Sequence, residues 1–499
     1  MATETSLLTI DIGSTSMRAN LHDGQGKIVH SARRATTPTY FADNRVELDI
    51  ETFVANLYSL LRESAASTAM QMSPPAAIAV TSQRSSVVAV DHEGRPLTGC
   101  IMWHDKRTVP LCQKLARWEP QVYDRTGLRI SPVLSAVKMT WIRENLPDIY
   151  ARTHKLLGIH DVALHALCGR FVTDTSLASN TNLLNLWTRQ WDPDLLEIFA
   201  VQRRHLCDIV PPGTICGTTT ENFKQMTGLA ESIPVISAGG DQQCAALGLG
   251  IFKNGRIKCT TGTGSYLIAH ADQPIIDQKR RFLCKVAAVP GAYNLEAGIL
   301  TTGAVYRWFI EQFYGPATDP ANLERINNEV VASPPGANGV LFLPHFEGSG
   351  APHWCPDDTG AFYHLKLANT RADMARAVME GIVMEMGDNL QLFKEKIGEV
   401  PHVCLSGGMT AFAAYNQLQA DIFATDAILY PHKEATAIGA WISAAVTMGL
   451  YSSYSEAFQV AQPAERQVRF RPDAKREPLY NHLNITRRKL YKAMRTVAA

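Results

Sequence analysis

Asp241 stands on a turn between two glycines and two glutamines, within the run ISAGGDQQCAALGLGIFKNGRIKCTTGTGSYL that spans 236–267. Paired glycines admit positive φ and bring backbone close to a ligand, because no Cβ intervenes. A carboxylate on such a turn reads as a catalytic group in a cleft. The run closes with Thr260-Thr261-Gly262-Thr263-Gly264-Ser265, a loop between two β-like stretches whose backbone N–H groups can wrap phosphate. Half a chain earlier Asp11 precedes a similar turn, Gly13-Ser14-Thr15-Ser16, with Arg18 just beyond. A third glycine cluster, Ser406-Gly407-Gly408-Met409, ends another β-like run. Two comparable strand–turn–strand loops half a chain apart suggest two related halves, each offering one phosphate-gripping hairpin to a shared cleft. No GxxxxGK[ST] loop occurs, and the partial GxGxxG at Gly262 and Gly264 lacks its third glycine. Nucleotide would therefore be held by neither a Walker loop nor a Rossmann turn.

In chain order, Asp11-Ile12-Gly13-Ser14-Thr15, Gly239-Gly240-Asp241-Gln242-Gln243, Thr261-Gly262-Thr263-Gly264 and Ser406-Gly407-Gly408 resemble the motifs of the FGGY carbohydrate kinases. That family belongs to the superfamily of actin, hexokinase and heat-shock chaperone ATPases. Gly360, Phe362, Leu365, Asp373-Met374 and Ala377-Val378-Met379-Glu380 resemble its C-terminal signature, with His364 where a glycine is expected. The resemblance runs from about Leu7 to the region of Gly439. It implies an α/β fold of two actin-like (ribonuclease H-like) domains with a nucleotide and sugar cleft between them. Residues 1–250 would carry the sugar site, the first phosphate loop and Asp241; residues 251–499 would carry the second phosphate loop and the adenosine site. The implied activity is ATP-dependent phosphorylation of a hydroxyl of a small sugar or polyol, in carbohydrate catabolism.

On that resemblance Asp241 accepts the hydroxyl proton, and Arg84, Ser85, Trp103, Gln242 and Tyr266 line the acceptor pocket with it. Arginine offers hydroxyl oxygens a fixed fork of donors, and an indole offers a carbon face an apolar wall. Asp11 would hold Mg²⁺ through water. Gly13, Ser14, Thr15, Gly262, Thr263 and Gly264 would hold phosphate oxygens, with Arg18 adding charge, while adenosine lies along Gly407 and Gly408 beside Phe412. Phosphoryl transfer is mostly positioning and charge neutralisation, so these parts suffice without a covalent intermediate. The motifs are nearest to those of glycerol kinases, with three departures. Ser85 and Val133 stand where those enzymes carry an acid and a tyrosine, and Phe412 stands where they carry an asparagine. Two polyol-gripping groups are gone, which predicts an acceptor larger than glycerol, of four to six carbons. Glycerol kinase is the alternative. A superfamily ATPase driving conformational change and a sugar-sensing pseudokinase are alternatives of other classes. Arg84, Trp103 and Asp241 together argue against the first, and the intact Asp11 and Asp241 against the second.

The elements that must position these residues follow from pattern. The buried run Leu7 to Ile12 predicts a strand, with partners over Met17–His22 and Lys27–Ala32 across the turn Asp23-Gly24-Gln25-Gly26. Asp49 caps a helix carrying Phe53, Leu57, Leu60 and Leu61 at helical spacing. Ala77 to Ser82 predicts a strand that delivers Gln83-Arg84, and 86–91 with the turn His92-Glu93-Gly94 predicts a hairpin leading to Trp103. The stretch 173–182 reads as a polar, cleft-facing loop. In the second half, strands flank Gly262–Gly264, Tyr293–Glu296 reads as a strand, and Thr370 with Asp373 starts a long helix in a capping-box pattern. Arg487 to Arg495 reads as a docked helix with a solvated basic face. The residues His345, His353, Cys355, Asp357 and Asp358 match no zinc spacing.

At 499 residues the chain suits two domains. A net charge of +1 gives no electrostatic reason to expect nucleic acid or a membrane surface. Ten cysteines without a CxxC pair suggest reduced thiols. The N-terminus lacks the basic and long apolar regions of a signal peptide, and no apolar run reaches the length of a membrane span. The expectation is a cytoplasmic enzyme whose partners are ATP, Mg²⁺ and a small sugar or polyol, with neither nucleic acid nor membrane; a homodimer stays open.

Overall fold

The computed structural model describes residues 5–430 and 434–498. Two mixed sheets dominate it, and they repeat one pattern. In the first, the strand Ser6–Ile12 pairs antiparallel with Ser16–His22, which pairs antiparallel with Ile28–Ala35. On its other side Ser6–Ile12 runs parallel to Pro75–Ser82, which runs parallel to Pro234–Gly240; Thr214–Thr218 closes that edge antiparallel. In the second sheet, Arg256–Thr261, Ser265–Ala271 and Tyr293–Ile299 form the antiparallel series. His402–Ser406, Asp426–Leu429 and Val468–Phe470 follow as parallel, parallel and antiparallel partners. One extra strand, Leu283–Val286, extends the second sheet beyond Tyr293–Ile299. The first strand is buried on both faces, Leu8, Ile10 and Ile12 on one and Leu7 and Thr9 on the other, because helices cover both sides.

The shared pattern places equivalent strand ends at one cleft. Each first strand turns into its antiparallel neighbour through a tight loop: Ile12 opposes Met17 across one, and Thr261 opposes Ser265 across the other. The parallel strands end at Gln83-Arg84, Gly240-Asp241 and Gly407-Gly408.

The halves are joined by two helices, Asp241–Gly248 and Ala435–Thr447, which cross at glycines. A Cβ on Gly248 would lie 2.0 Å from the Ala435 carbonyl oxygen, and one on Gly439 would lie 1.8 Å from that of Cys244. Around this crossing Leu7, Ala79 and Ile236 of the first sheet share a core with Ile268, Cys404 and Ile428 of the second. Among the described residues no helix is long and apolar enough to cross a membrane, and all ten cysteines are free thiols.

Three local expectations are corrected. The turn at 91–95 forms, with Gly94 N–H bonded to Asp91 O, but Val88–Val90 pairs with the distant Lys155–Leu157 rather than making a simple hairpin. The stretch 173–182 is no open loop: it holds the buried helix Thr175–Ala178, capped by Asp174. The basic C-terminal helix, Glu477–Ala498, turns Arg487 inward, where burial is offset by ion pairs to Glu385 and Asp388. The capping box of Thr370 and Asp373 forms as expected, starting the helix Arg371–Ile397.

Candidate functional site

Both hairpin turns are short and glycine-built. Gly13 N–H bonds Ser16 O at 2.9 Å in the first, and Gly262 N–H bonds Gly264 O at 2.9 Å in the second. The start of the helix Gly303–Phe313 braces the second turn, since Gly303 N–H meets Gly262 O at 3.0 Å and Ala304 N–H meets Thr263 O at 3.1 Å. Gly407 adopts φ 97°, and a Cβ there would strike the Thr261 carbonyl oxygen at 2.3 Å, so only glycine lets this strand end lie on the hairpin. The hydroxyls of Thr260 and Ser406 meet at 2.7 Å and tie the two together. Gly408 faces open space, which leaves an uncovered strip of backbone beside the second turn. Phe412 opens the next helix, Ala413–Phe423, with its ring packed against the core of the second half.

Two acids approach one another in the cleft. Asp11 ends the first strand, and burial followed by the nearby Asp241 carboxylate pushes its pKa up to about 7. Asp241 is the first residue of its helix; its Oδ1 accepts the Gln242 N–H at 2.7 Å. Burial raises its pKa above the ordinary value, opposed by the positive charges of Arg84 and Lys258. Arg18, opposite Asp11 across the hairpin, forms an ion pair with Glu434, the residue that precedes the helix Ala435–Thr447. Its charge is thus already partnered from the other half.

Arg84 is more constrained than its sequence suggests. Its Nη1 is shared among Glu296 at 3.0 Å, Asn180 at 3.3 Å and Gln243 at 3.5 Å, and its Nε lies 3.6 Å from Asp241 Oδ1. The other Glu296 oxygen accepts from Lys285 Nζ at 2.6 Å. Side-chain exposure rises along this chain, from 4% at Lys285 and 7% at Glu296 to 13% at Arg84 and 24% at Asp241. Asp241 is therefore the end that opens to the cleft. Burial alone would raise the Glu296 pKa, but Arg84 and Lys285 hold it well below the usual carboxylate range. Burial pushes Lys285 down to about 8, and Lys258 likewise to about 8. Lys258 Nζ donates to Gln242 Oε1 at 2.9 Å, fixing the glutamine that follows Asp241.

The remaining pocket residues converge on the same place. Trp103 Nε1–H donates to Ser14 Oγ at 2.7 Å, so the indole reaches the first glycine turn. Ser85 has φ 68° and donates its hydroxyl to Asn180 O at 3.2 Å. The Tyr266 ring passes over Gly298, where a Cβ would lie 3.1 Å from it, and burial with the Glu296 charge raises its phenol pKa. Behind Ser85 is a cavity of about 40 Å³ lined by Gln83, Ser135, Met139 and Asp161 among others. Val133, on the adjoining loop, is exposed, and the three carbonyls of Pro132, Val133 and Leu134 point inward to Lys138 Nζ.

Sequence reasoning missed Asn180, Gln243, Lys258, Lys285 and Glu296. One signal was present: Lys258, Lys285 and Glu296 are ionisable residues inside β-like runs, where a charge needs a partner.

Two glycine hairpins and an aspartate beside a paired arginine lie in a two-domain α/β chain of the actin-like ATPase fold. Residues 6–248 match the FGGY family of carbohydrate kinases, N-terminal domain, and residues 257–448 match its C-terminal domain. The chain belongs to the FGGY family of carbohydrate kinases. It is 32% identical over 487 residues to a glycerol kinase of Burkholderia ambifaria, covering 94% of each chain. It is 32% identical over 462 residues to one of Alkalilimnicola ehrlichii, covering 89% of this chain and 90% of that one. In fold it is similar to the xylulose kinase of Rhodospirillum rubrum, with a TM-score of 0.92 at 23% identity over 99% of both chains. It is also similar to the gluconate kinase of Lactobacillus acidophilus, with a TM-score of 0.91 at 23% identity over 99% of this chain and 98% of that one. The protein is a kinase that phosphorylates a sugar or polyol at the expense of ATP.

Proposed function

We propose that the acceptor is a sugar or polyol of four to six carbons, bound between Trp103, Tyr266 and Arg84 with its reacting hydroxyl on Asp241. The single observation that carries this binding mode is the Arg84–Asp241 pair, set at the open end of a buried charge chain. Asp241 accepts the hydroxyl proton as transfer proceeds, and burial raises its pKa, which makes it a better base than an ordinary aspartate. Gln242 and Ser85 line the same pocket. The backbone of Gly13, Ser14, Thr15, Gly262, Thr263 and Gly264 cradles phosphate oxygens, and adenosine lies on Gly407 and Gly408 with Phe412 beside them. In this reading the two functional units divide at residue 250.

Mg²⁺ belongs to the same reading, and the residues present fit it. Asp11 is a hard oxygen donor that makes no ion pair among the described residues, and its desolvated carboxylate gains from a cation. When bound, the ion neutralises charge on the phosphate oxygens. Asp11 orients it, and Arg18 contributes to phosphate only after leaving Glu434. Free buried thiols support a reducing cytoplasm as the place of action.

Acceptor size rests on Ser85 and Val133, a hydroxyl and a short apolar side chain at the sequence positions where glycerol kinases carry an acid and a phenol. A screen of ADP release with glycerol, erythritol, xylitol, D-xylulose, D-gluconate and hexoses tests it by kcat/KM. An acceptor longer than glycerol is expected to be preferred. Preference for glycerol over every longer compound would establish a glycerol kinase instead, and ADP release that no acceptor stimulates would favour an ATPase of the superfamily.

A further inference from the structure

The wall of the acceptor pocket is wired to the phosphate turn. Trp103 Nε1–H, a donor only, reaches Ser14 Oγ at 2.7 Å. The Ser14 hydroxyl spends its one proton on Gln83 Oε1 at 3.1 Å. Gln83 is itself fixed to the first strand, since its N–H bonds Ile12 O at 2.7 Å, and the next residue is Arg84. The Gln83 side chain is buried, and its Nε2 has no partner among the described residues. On its far side the indole is backed edge-on by His104, with ring centroids 4.9 Å apart, and His104 Nε2 meets the Tyr40 hydroxyl at 3.2 Å.

Two consequences follow from the chemistry. With its proton given to Gln83, the Ser14 hydroxyl has none for a phosphate oxygen, so the first turn grips phosphate through backbone N–H groups whose aim depends on where Ser14 is held. Ser14 in turn is held by the indole against which the acceptor lies. We propose that the Trp103–Ser14–Gln83 bridge couples the two substrates: acceptor on the indole orders the phosphate turn, and nucleotide on the turn orders the indole. This rests on the reading that the acceptor lies against Trp103. Ordering shared by two ligands gives positive cooperativity without a change of shape, and linkage makes the coupling reciprocal for binding. The expected size is about fivefold in affinity, the scale of one neutral hydrogen bond.

The test uses the full-length protein and Mg·ADP as the probe, with Kd measured by calorimetry for wild type, Trp103→Phe, Ser14→Ala and the double variant. Phenylalanine keeps an aromatic wall and removes only the N–H. Each single change should weaken Mg·ADP about fivefold, although Trp103 belongs to the other pocket, and the double variant should be no weaker than the weaker single. Addition of the acceptor that turns over best should tighten Mg·ADP about fivefold in wild type and leave Trp103→Phe unchanged. Should Trp103→Phe fold poorly, Ser14→Ala carries the reciprocal test, a fivefold rise in acceptor KM from a residue on the phosphate turn. Wild-type Mg·ADP affinity in Trp103→Phe, losses that multiply to about 25-fold in the double variant, or an unchanged acceptor KM in Ser14→Ala would overturn the coupling. If no acceptor stimulates wild-type ADP release, the pocket reading fails, while the Mg·ADP cycle still decides whether the bridge exists.

Discussion

Replacing Glu296 by glutamine removes one negative charge from between two buried cations and keeps the shape. Glu296 accepts from Lys285 at 2.6 Å and from Arg84 at 3.0 Å, and all three are nearly out of water. Taking one partner from such a set leaves uncompensated buried charge, which costs about 3–5 kcal/mol. The loss has an escape route, because Lys285 can give up its proton. Burial already lowers its pKa to about 8, with Glu296 holding it up, so the variant's lysine titrates lower still. The sign follows. Lysine in the unfolded chain keeps its proton to about 10.4, so each proton missing from the folded state makes stability rise with pH. Between the variant's depressed pKa and about 8, only the variant gains this way, and its deficit should shrink by about 1.4 kcal/mol per pH unit. Urea denaturation of both proteins at pH 6.0 and pH 8.5 measures it, and the midpoint gap should be clearly smaller at pH 8.5. Glu296→Gln combined with Lys285→Met should recover most of the stability, since a neutral replacement for a buried pair is well tolerated. It should not recover acceptor KM, because Arg84 still lacks its anchor. A midpoint gap independent of pH, or a double variant no more stable than the single, would refute this account of the chain.

Asp241→Asn should leave Mg·ADP affinity within about twofold while lowering kcat by at least about 100-fold, the scale of a lost general base; near-normal turnover would remove Asp241 from that role. Asp11→Ala should raise the Mg²⁺ concentration for half-maximal activity, read directly from a Mg²⁺ titration of ADP release, and an unchanged titration would place the ion on phosphates and water alone. Gly439→Ala puts a Cβ 1.8 Å from the Cys244 backbone oxygen, so the helix crossing between the halves must spread. A drop of several degrees in Tm is expected, about 3 kcal/mol or more of strain, and an unchanged Tm would show that the crossing adjusts freely.

What could be seen in the sequence was the chemistry that glycine makes local. Gly264 and Gly407 mark close approaches that exclude a Cβ, and Gly13 and Gly262 open the two tight turns that their runs predicted. The strands around them were legible for a similar reason, since Leu7, Leu8, Ile10 and Ile12 make Leu7 to Ile12 a largely apolar run. The register was not: nothing local tells Val88–Val90 to pair with Lys155–Leu157. Nor could local pattern show that 173–182 is buried, because its small polar residues satisfy one another only after folding. Asp174 accepts from Ser176 and Ser237, and Asn180 reaches Arg84. Polarity there reflects a hydrogen-bonded interior, not exposure.

The same reasoning explains why class was readable and the site's electrostatics were not. In the proposed reading phosphate is held by backbone, and backbone geometry is written in runs of a few residues. The charge on Asp241 depends instead on its burial and on Arg84, Lys258 and Glu296, which arrive from different strands in both halves of the chain. An arginine read alone offers a full fork to a sugar. In the folded protein one arm of that fork is already committed across the cleft to Glu296, so Nε and Nη2 are what remain to face Asp241 and the acceptor. The anchor comes from the second half and Asp241 from the first. Arg84 is therefore aimed only when both halves are in place, which is a property of the pairing and belongs to neither motif by itself.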